Sequence, residues 1–222
     1  MNPLSHIDLH MAQEMYRASP GLSYSETKLL KRSPLHLRYA RDNPQVLGRP
    51  SPQMALGSAT HCATFEAARF DVEYVMEPAP NMNKNSNAYK EFADACRANG
   101  LQPISIEDRE RVLGMVASLR AHPRISQVLA KGNPEVSCWW TDPETSVACK
   151  GRLDWVHPLQ GGHLPVDLKT TTDASPEAFA RSITTFEYHR QGWWYQWGYE
   201  IATGEPVMPM LFIVVETTAP YA

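Results

Sequence analysis

This chain of 222 residues lacks long apolar runs, a basic excess and paired cysteines. No stretch approaches the roughly 18 to 20 consecutive apolar residues that a membrane-spanning helix needs. Met1 to His10 carries polar and acidic residues where a secretory signal has a basic and then an apolar stretch. The expectation is a soluble, cytoplasmic protein. Cys62, Cys96, Cys138 and Cys149 form no C-x-x-C pair, which argues against a zinc ribbon or a disulfide framework and predicts reduced thiols. With 21 Lys and Arg against 24 Asp and Glu, the formal net charge is -3. There is no global basic field, so any nucleic-acid binding must come from local clusters of Lys and Arg. Internal repeats are absent. A hydrophobic share of 43% against 20% charged excludes a disordered tail and suits one domain with a core.

The elements follow from periodicity and punctuation. Ser25 to Asp42 reads as helical, with Ser23 or Ser25 as cap and Pro34 dividing the run. Gln53 to Arg69 reads as one helix with an apolar face through Leu56, Ala59, Ala63 and Phe65. Its Gly57, Ser58 and Ala59 are small enough for a close backbone approach. Glu77 to Asn87, with two prolines and four asparagines, reads as a loop. Ser86 to Asn99 and Ser105 to Ala121 are further helices, the first closed by Asn99-Gly100. The second opens with Ser105 and Asp108 spaced as a capping box and ends at Pro123. From Glu135 onward, Val136 to Thr141, Val147 to Val156 and His163 to Thr170 are rich in β-branched and aromatic residues. Asp-Pro and Gly-Gly turn signals separate them, so they predict a three-stranded meander. Ser175-Pro176 opens a helix, Tyr188 to Ala202 forms another, and Met208 to Thr217 is a strand. This order predicts an α/β or α+β fold with a mixed sheet covered by helices.

Chemistry concentrates in Gly151-Arg152-Leu153-Asp154 and Val166-Asp167-Leu168-Lys169-Thr170-Thr171. On a strand of period two, Asp167 and Lys169 share a face, and a hairpin pairing brings Asp154 to them. Two converging carboxylates make a hard oxygen site for magnesium or manganese, and a neighbouring ammonium can position a water or steady a phosphate oxygen. Taken alone, an Asp-x-Lys tripeptide is more often a pair of solvated strand residues joined by a salt bridge. The flanking Val166, Leu168, Trp155 and Val156 point instead to an interior strand pair, where charges need partners or a metal.

The ordered set Gly57-Ser58-Ala59-Thr60-His61, Gly151-Arg152-Leu153-Asp154, Asp167-Leu168-Lys169-Thr170-Thr171 and Gln191-Gly192-Trp193-Trp194-Tyr195 resembles the motifs of RecB-type PD-(D/E)XK nucleases. Within that superfamily the chain looks most like the RecE-type (exonuclease VIII) C-terminal nuclease domains, and is functionally similar to λ exonuclease. The likeness runs from Leu22 to Tyr221. It implies a single restriction-endonuclease-like domain over residues 1–222, shortened at its C-terminal end relative to the family. It also implies metal ligation by His61, Asp154, Asp167 and the Leu168 carbonyl. Lys169 would be the lysine that orients or activates the attacking water. Gln191 and Tyr195 match a Q-x-x-x-Y motif that contacts the DNA end or supports the lysine. Glu135 would be an additional acid near a second metal.

The implied activity is a magnesium-dependent exodeoxyribonuclease, with manganese as substitute, digesting linear double-stranded DNA ends 5′ to 3′. It would leave 5′-phosphorylated products and 3′ single strands for recombination and repair. The resemblance also implies a ring-shaped homo-oligomer and a single-strand annealing partner of the RecT or λ beta type. No cysteine follows Cys149, so an iron–sulfur cluster is not expected. A catalytically silent DNA-binding module on the same fold, a metal-dependent endonuclease and a hydrolase of small phosphorylated molecules remain open alternatives. The first sits poorly with retained carboxylates beside an anionic backbone. Arg32, Arg38, Lys150 and Arg152 flank the motifs and are candidates for the DNA path, or for a solvated surface.

Overall fold

A computed structural model describes residues 5–47, 51–80 and 82–222. The chain opens with β1 (His6–Asp8), α1 (Gln13–Ala18), β2 (Leu22–Ser23), α2 (Tyr24–Arg32) and α3 (Pro34–Asp42). A helical stretch follows: α4 (Pro52–Phe65), α5 (Ala67–Glu73), the short β3 (Tyr74–Met76), α6 (Asn87–Ala98), β4 (Gln102–Ile104), α7 (Ile106–Ala121) and α8 (Pro123–Leu129). The last part holds β5 (Asn133–Thr141), β6 (Ala148–Leu159), β7 (Gly162–Thr171), α9 (Pro176–Thr185), α10 (Tyr188–Thr203) and β8 (Leu211–Glu216). One mixed sheet runs in the order β1-β5-β6-β7-β8, with β2 parallel to β6. The β5-β6-β7 run is an antiparallel meander. This is the α/β class read from the sequence, a mixed central sheet flanked by helices.

Two readings change and a third, the loop from Glu77 to Asn87, holds. The helix expected from Gln53 to Arg69 is two helices, because Glu66 leaves helical dihedrals (φ -137°, ψ 56°) between α4 and α5. Pro123 ends α7 and also starts α8, since a missing N–H is harmless at a first helical position. The Glu77 to Asn87 loop holds neither helix nor strand up to Ser86 among its described residues, and Asn81 lies outside them.

The residues fall into two compact units. The first comprises the described residues of 1–49 together with 130–167 and 175–213. Its core is the packing of α10 on β5 and β6: Val136, Cys138, Trp140, Cys149, Leu153 and Val156 meet Tyr199 and Val207. Burial pushes the Cys138 thiol up to about 12 and that of Cys149 to about 11, so both stay protonated and inert. Gly198 lets the helix approach, for a Cβ there would stand 2.4 Å from the Trp140 ring. A capping box opens α2, with Glu26 Oε2 accepting from the Ser23 amide at 2.8 Å and from its hydroxyl at 2.9 Å.

Helix α1, six residues long and with no buried side chain of its own, is secured from β6. The Lys150 ammonium, 5% exposed, donates to the carbonyls of Tyr16 (2.9 Å), Arg17 (3.1 Å) and Ser19 (2.6 Å). Carbonyls at a helix C-terminus have no intrahelical donors and carry the negative end of the dipole, so a cation suits them.

The second unit comprises the described residues of 50–129 together with 168–174 and 214–222. In it α4 packs against α7, with Leu56, Ala59, Thr60 and Ala63 buried on one helix and Val112, Met115 and Leu119 on the other. The parallel pair β3-β4 flanks them. Residues 214–222 are tied in by Arg111 Nε to the Thr217 carbonyl (3.0 Å), Ser118 Oγ to the Tyr221 carbonyl (2.6 Å) and the Thr217 amide to the Thr171 carbonyl (2.8 Å).

Candidate active site

The register of β6 against β7 positions the two acids of the first unit. Their paired residues run from Leu159↔Gly162 to Trp155↔Val166. One further step of that register sets Asp154 opposite Asp167. Asp167 is 2% exposed and Asp154 is half-buried. A carboxylate so deeply buried needs a donor. Gln191, in the first turn of α10, supplies one, its Nε2 standing 2.9 Å from Asp167 Oδ1.

Tyr195 lies one turn further along α10 and is therefore on the same helix face as Gln191. It rests on Gly151: a Cβ at that position would stand 3.1 Å from Tyr195 Cδ1 and 3.2 Å from Cys138 Sγ. Glycine inside a strand often marks such an approach, and that signal was present in Gly151-Arg152-Leu153-Asp154. Burial holds the Tyr195 hydroxyl well above its ordinary value, and Tyr16, Asp167 and Asp154 push it the same way. Tyr195 is thus a neutral phenol under the influence of both acids. The Q-x-x-x-Y face of one helix engages β7 through Asp167 and β6 through Gly151.

Glu135 lies within the β5-β6 ladder, with Pro134↔Trp155 and Val136↔Leu153 on either side of it. That register puts it opposite Asp154, so three acids align across β5, β6 and β7. Its backbone is left-handed, with φ 51°, an arrangement that costs about 1 kcal/mol or more for a residue with a side chain. Its carboxylate is paired to Arg152 Nε at 2.6 Å. Arg152 also donates to Ser137 Oγ (2.9 Å) and to the Met11 carbonyl (3.0 Å). Arg152 and the buried Lys150 are therefore committed within the fold, which removes both from the candidates for a DNA path. Arg38 and Arg32 are exposed on α3 and α2, Arg38 beside Asp42 at 3.8 Å.

In the second unit, His61 projects from α4 and its Nε2 lies 2.7 Å from the Leu168 carbonyl. The His61 ring meets Phe65 edge-on. Lys169 and Thr170 follow on β7, both half-buried.

The family model described as PDDEXK-like domain of unknown function (DUF3799) matches residues 23–222. The chain belongs to this family. As a PDDEXK-like domain it falls in the PD-(D/E)XK superfamily, which points to a nuclease. No curated protein matches it.

Among the described residues of this PDDEXK-like domain, no three His, Cys, Asp or Glu side chains gather around one point. The donors come in smaller groups. Asp154 and Asp167 are hard oxygen donors of the kind magnesium takes. His61 Nε2 and the Leu168 oxygen share a hydrogen bond of 2.7 Å, so ligation by both would require the imidazole to give up that proton. In donor type, the two carboxylates of the first unit suit a divalent cation.

Proposed function

We propose that this PDDEXK-like domain is a magnesium-dependent deoxyribonuclease of the RecE type, degrading linear double-stranded DNA from its 5′ ends. The observation that carries the reading is the pair Asp154 and Asp167, set opposite each other by strand register, with Asp167 buried and held by Gln191. Two facing carboxylates with no cation to bind would be a poor choice beside a polyanion.

Asp154 and Asp167 would hold the cation, and the resemblance to RecE-type domains adds His61 and the Leu168 carbonyl as further ligands. Magnesium, or manganese in its place, supplies charge neutralisation of the phosphodiester and eases deprotonation of a water. Lys169 would orient the water that attacks phosphorus. The P–O3′ bond breaks, and the leaving oxygen takes a proton to become a 3′-hydroxyl, while the attacked phosphate stays as the 5′ end. Gln191 would keep Asp167 in one rotamer, and Tyr195, packed on Gly151, would support the acids from the same helix face or, as the Q-x-x-x-Y resemblance implies, meet the DNA end. Glu135 would serve near a second ion, which requires it to exchange Arg152 for that ion.

Polarity, end dependence, the ring-shaped oligomer, the RecT-type or λ beta-type annealing partner, cytoplasmic location and the role in recombination all rest on the resemblance to RecE-type domains. A gel time course tests the reading. It uses linear duplex labelled at either end, alongside covalently closed circles, with magnesium, with chelator and with Lys169→Ala. Shortening from 5′ ends only with magnesium, intact circles and an inactive variant are the expected results. Retardation of DNA without cleavage under any metal would sink it in favour of a binding module, and cut circles in favour of an endonuclease.

A further inference from the structure

A groove of about 340 Å³ lies in the first unit between α2 and the start of α10, lined by Tyr24, Thr27, His189, Arg190, Trp193 and Trp194. Its volume sits at the low end for small-molecule sites, the scale of one nucleotide rather than of a docked helix. The walls are fixed. The Tyr24 hydroxyl donates to the Glu187 carbonyl at 2.8 Å, and the Trp194 indole donates to the Lys150 carbonyl at 3.2 Å and meets Trp140 edge-on. Trp193 differs from its neighbours: it is 57% exposed, yet stacked on Trp197 at 4.8 Å with planes 17° apart. A further flat ring would extend that stack by one layer.

The rim is cationic. Lys28 lies 5.2 Å from the Tyr24 ring centre, while Lys31 and Arg190 share the single carboxylate of Glu187 at 2.5 Å and 3.2 Å. Three cations against one acid leave an excess suited to phosphates, and aromatic faces with such a rim are how proteins hold single strands without reading sequence. At about 100° per residue, His189, Arg190, Trp193 and Trp194 spread over about 140° of α10, centred about 150° from the midpoint of Gln191 and Tyr195. One helix thus carries both the support of Asp167 and this groove.

We propose that the groove binds an unpaired nucleobase of single-stranded DNA, stacked on Trp193, with the flanking phosphates on Lys28, Lys31 and Arg190. This rests on the nuclease reading and adds a grip on the strand from the same helix that supports Asp167.

The test measures anisotropy of a labelled oligo-dT in magnesium, using Lys169→Ala so that the strand stays intact. A second strand of equal length is made of abasic residues. Trp193→Ala should weaken oligo-dT about tenfold, the scale of one lost base stack, while Trp193→Tyr stays within about threefold because it keeps an aromatic face. The abasic strand should bind Lys169→Ala no tighter than oligo-dT binds the protein lacking Trp193. Equal affinities with and without Trp193, equal affinities for the two strands, or no binding at all would each overturn the proposal. A drop in oligomeric state on Trp193→Ala with DNA affinity unchanged would assign the groove to a second copy instead. Cleavage by the otherwise wild-type protein is scored separately. A Trp193 variant that binds and cuts normally removes the base site alone, whereas base-dependent binding without any cleavage removes the nuclease reading alone.

Discussion

The bond from Gln191 to Asp167 ties α10 to a buried acid, and its strength is open to measurement. Replacing Gln191 with Met keeps the length and apolar stem of the side chain and deletes the donor 2.9 Å from Asp167 Oδ1. A hydrogen bond to a charged acceptor is worth about 1.5 to 3 kcal/mol. Asp167 is 2% exposed, so bulk water cannot replace the lost donor. A loss of about 2 kcal/mol is expected, which for a chain of this size lowers the melting temperature by roughly 4 to 8 °C. Gln191→Glu is harsher, since it turns the donor into a second carboxylate. At a separation of about 4 Å and an effective dielectric near 20, two like charges repel by about 4 kcal/mol. Denaturant titrations followed by tryptophan fluorescence, in chelator, give both numbers. Wild-type midpoints for Gln191→Met, or no difference between the Met and Glu variants, would refute the view that this amide holds the buried acid.

Gly151→Ala places a methyl 3.1 Å from Tyr195 Cδ1 and is expected to cost about 1 to 3 kcal/mol; calorimetry should find much of this recovered in Gly151→Ala with Tyr195→Leu. Lys150→Met takes the ammonium from three carbonyls of the α1 terminus, of which that of Tyr16 keeps the Ser19 hydroxyl at 2.7 Å, and is expected to cost about 3 kcal/mol by denaturant titration, with amide exchange in α1 accelerating. Burial alone would raise the Glu26 carboxyl, but the bonds from Arg41 and from the Ser23 amide and hydroxyl bring it below its ordinary 4.5. Its stabilisation is therefore present above that value and lost as pH falls through the lower folded one. Glu26→Gln should flatten the acid limb of stability against pH, and an unchanged limb would count against the capping box as a source of acid sensitivity.

What was legible in the sequence follows from how local each cause is. The β5-β6-β7 meander showed because β-branched runs and turn signals are adjacent in the chain, and once the hairpin is drawn the opposition of Asp154 and Asp167 follows by counting. The α10 face of Gln191 and Tyr195 needed only helical spacing. By contrast, β1 is three residues long and exists through its pairing with β5, His6↔Trp139 to Asp8↔Ser137, more than a hundred residues away. The division at Glu66 has neither proline nor glycine to mark it. Pro123 was read as a stop when the same missing N–H makes it a start. Nothing in the neighbourhood of Lys150 or Arg152 tells that one caps a distant helix and the other pairs with Glu135, so both looked like surface cations.

The Lys150 contact makes residues 16–19 part of the chemistry of β6 in a practical sense. Proteolytic nicking or trimming ahead of Leu22 would strand a buried ammonium in the strand that also carries Gly151 and Asp154, four residues on. Damage at one extremity of the chain would thus surface as loss of order next to an acid, and a preparation clipped there would resemble an active-site mutant although every motif residue is intact.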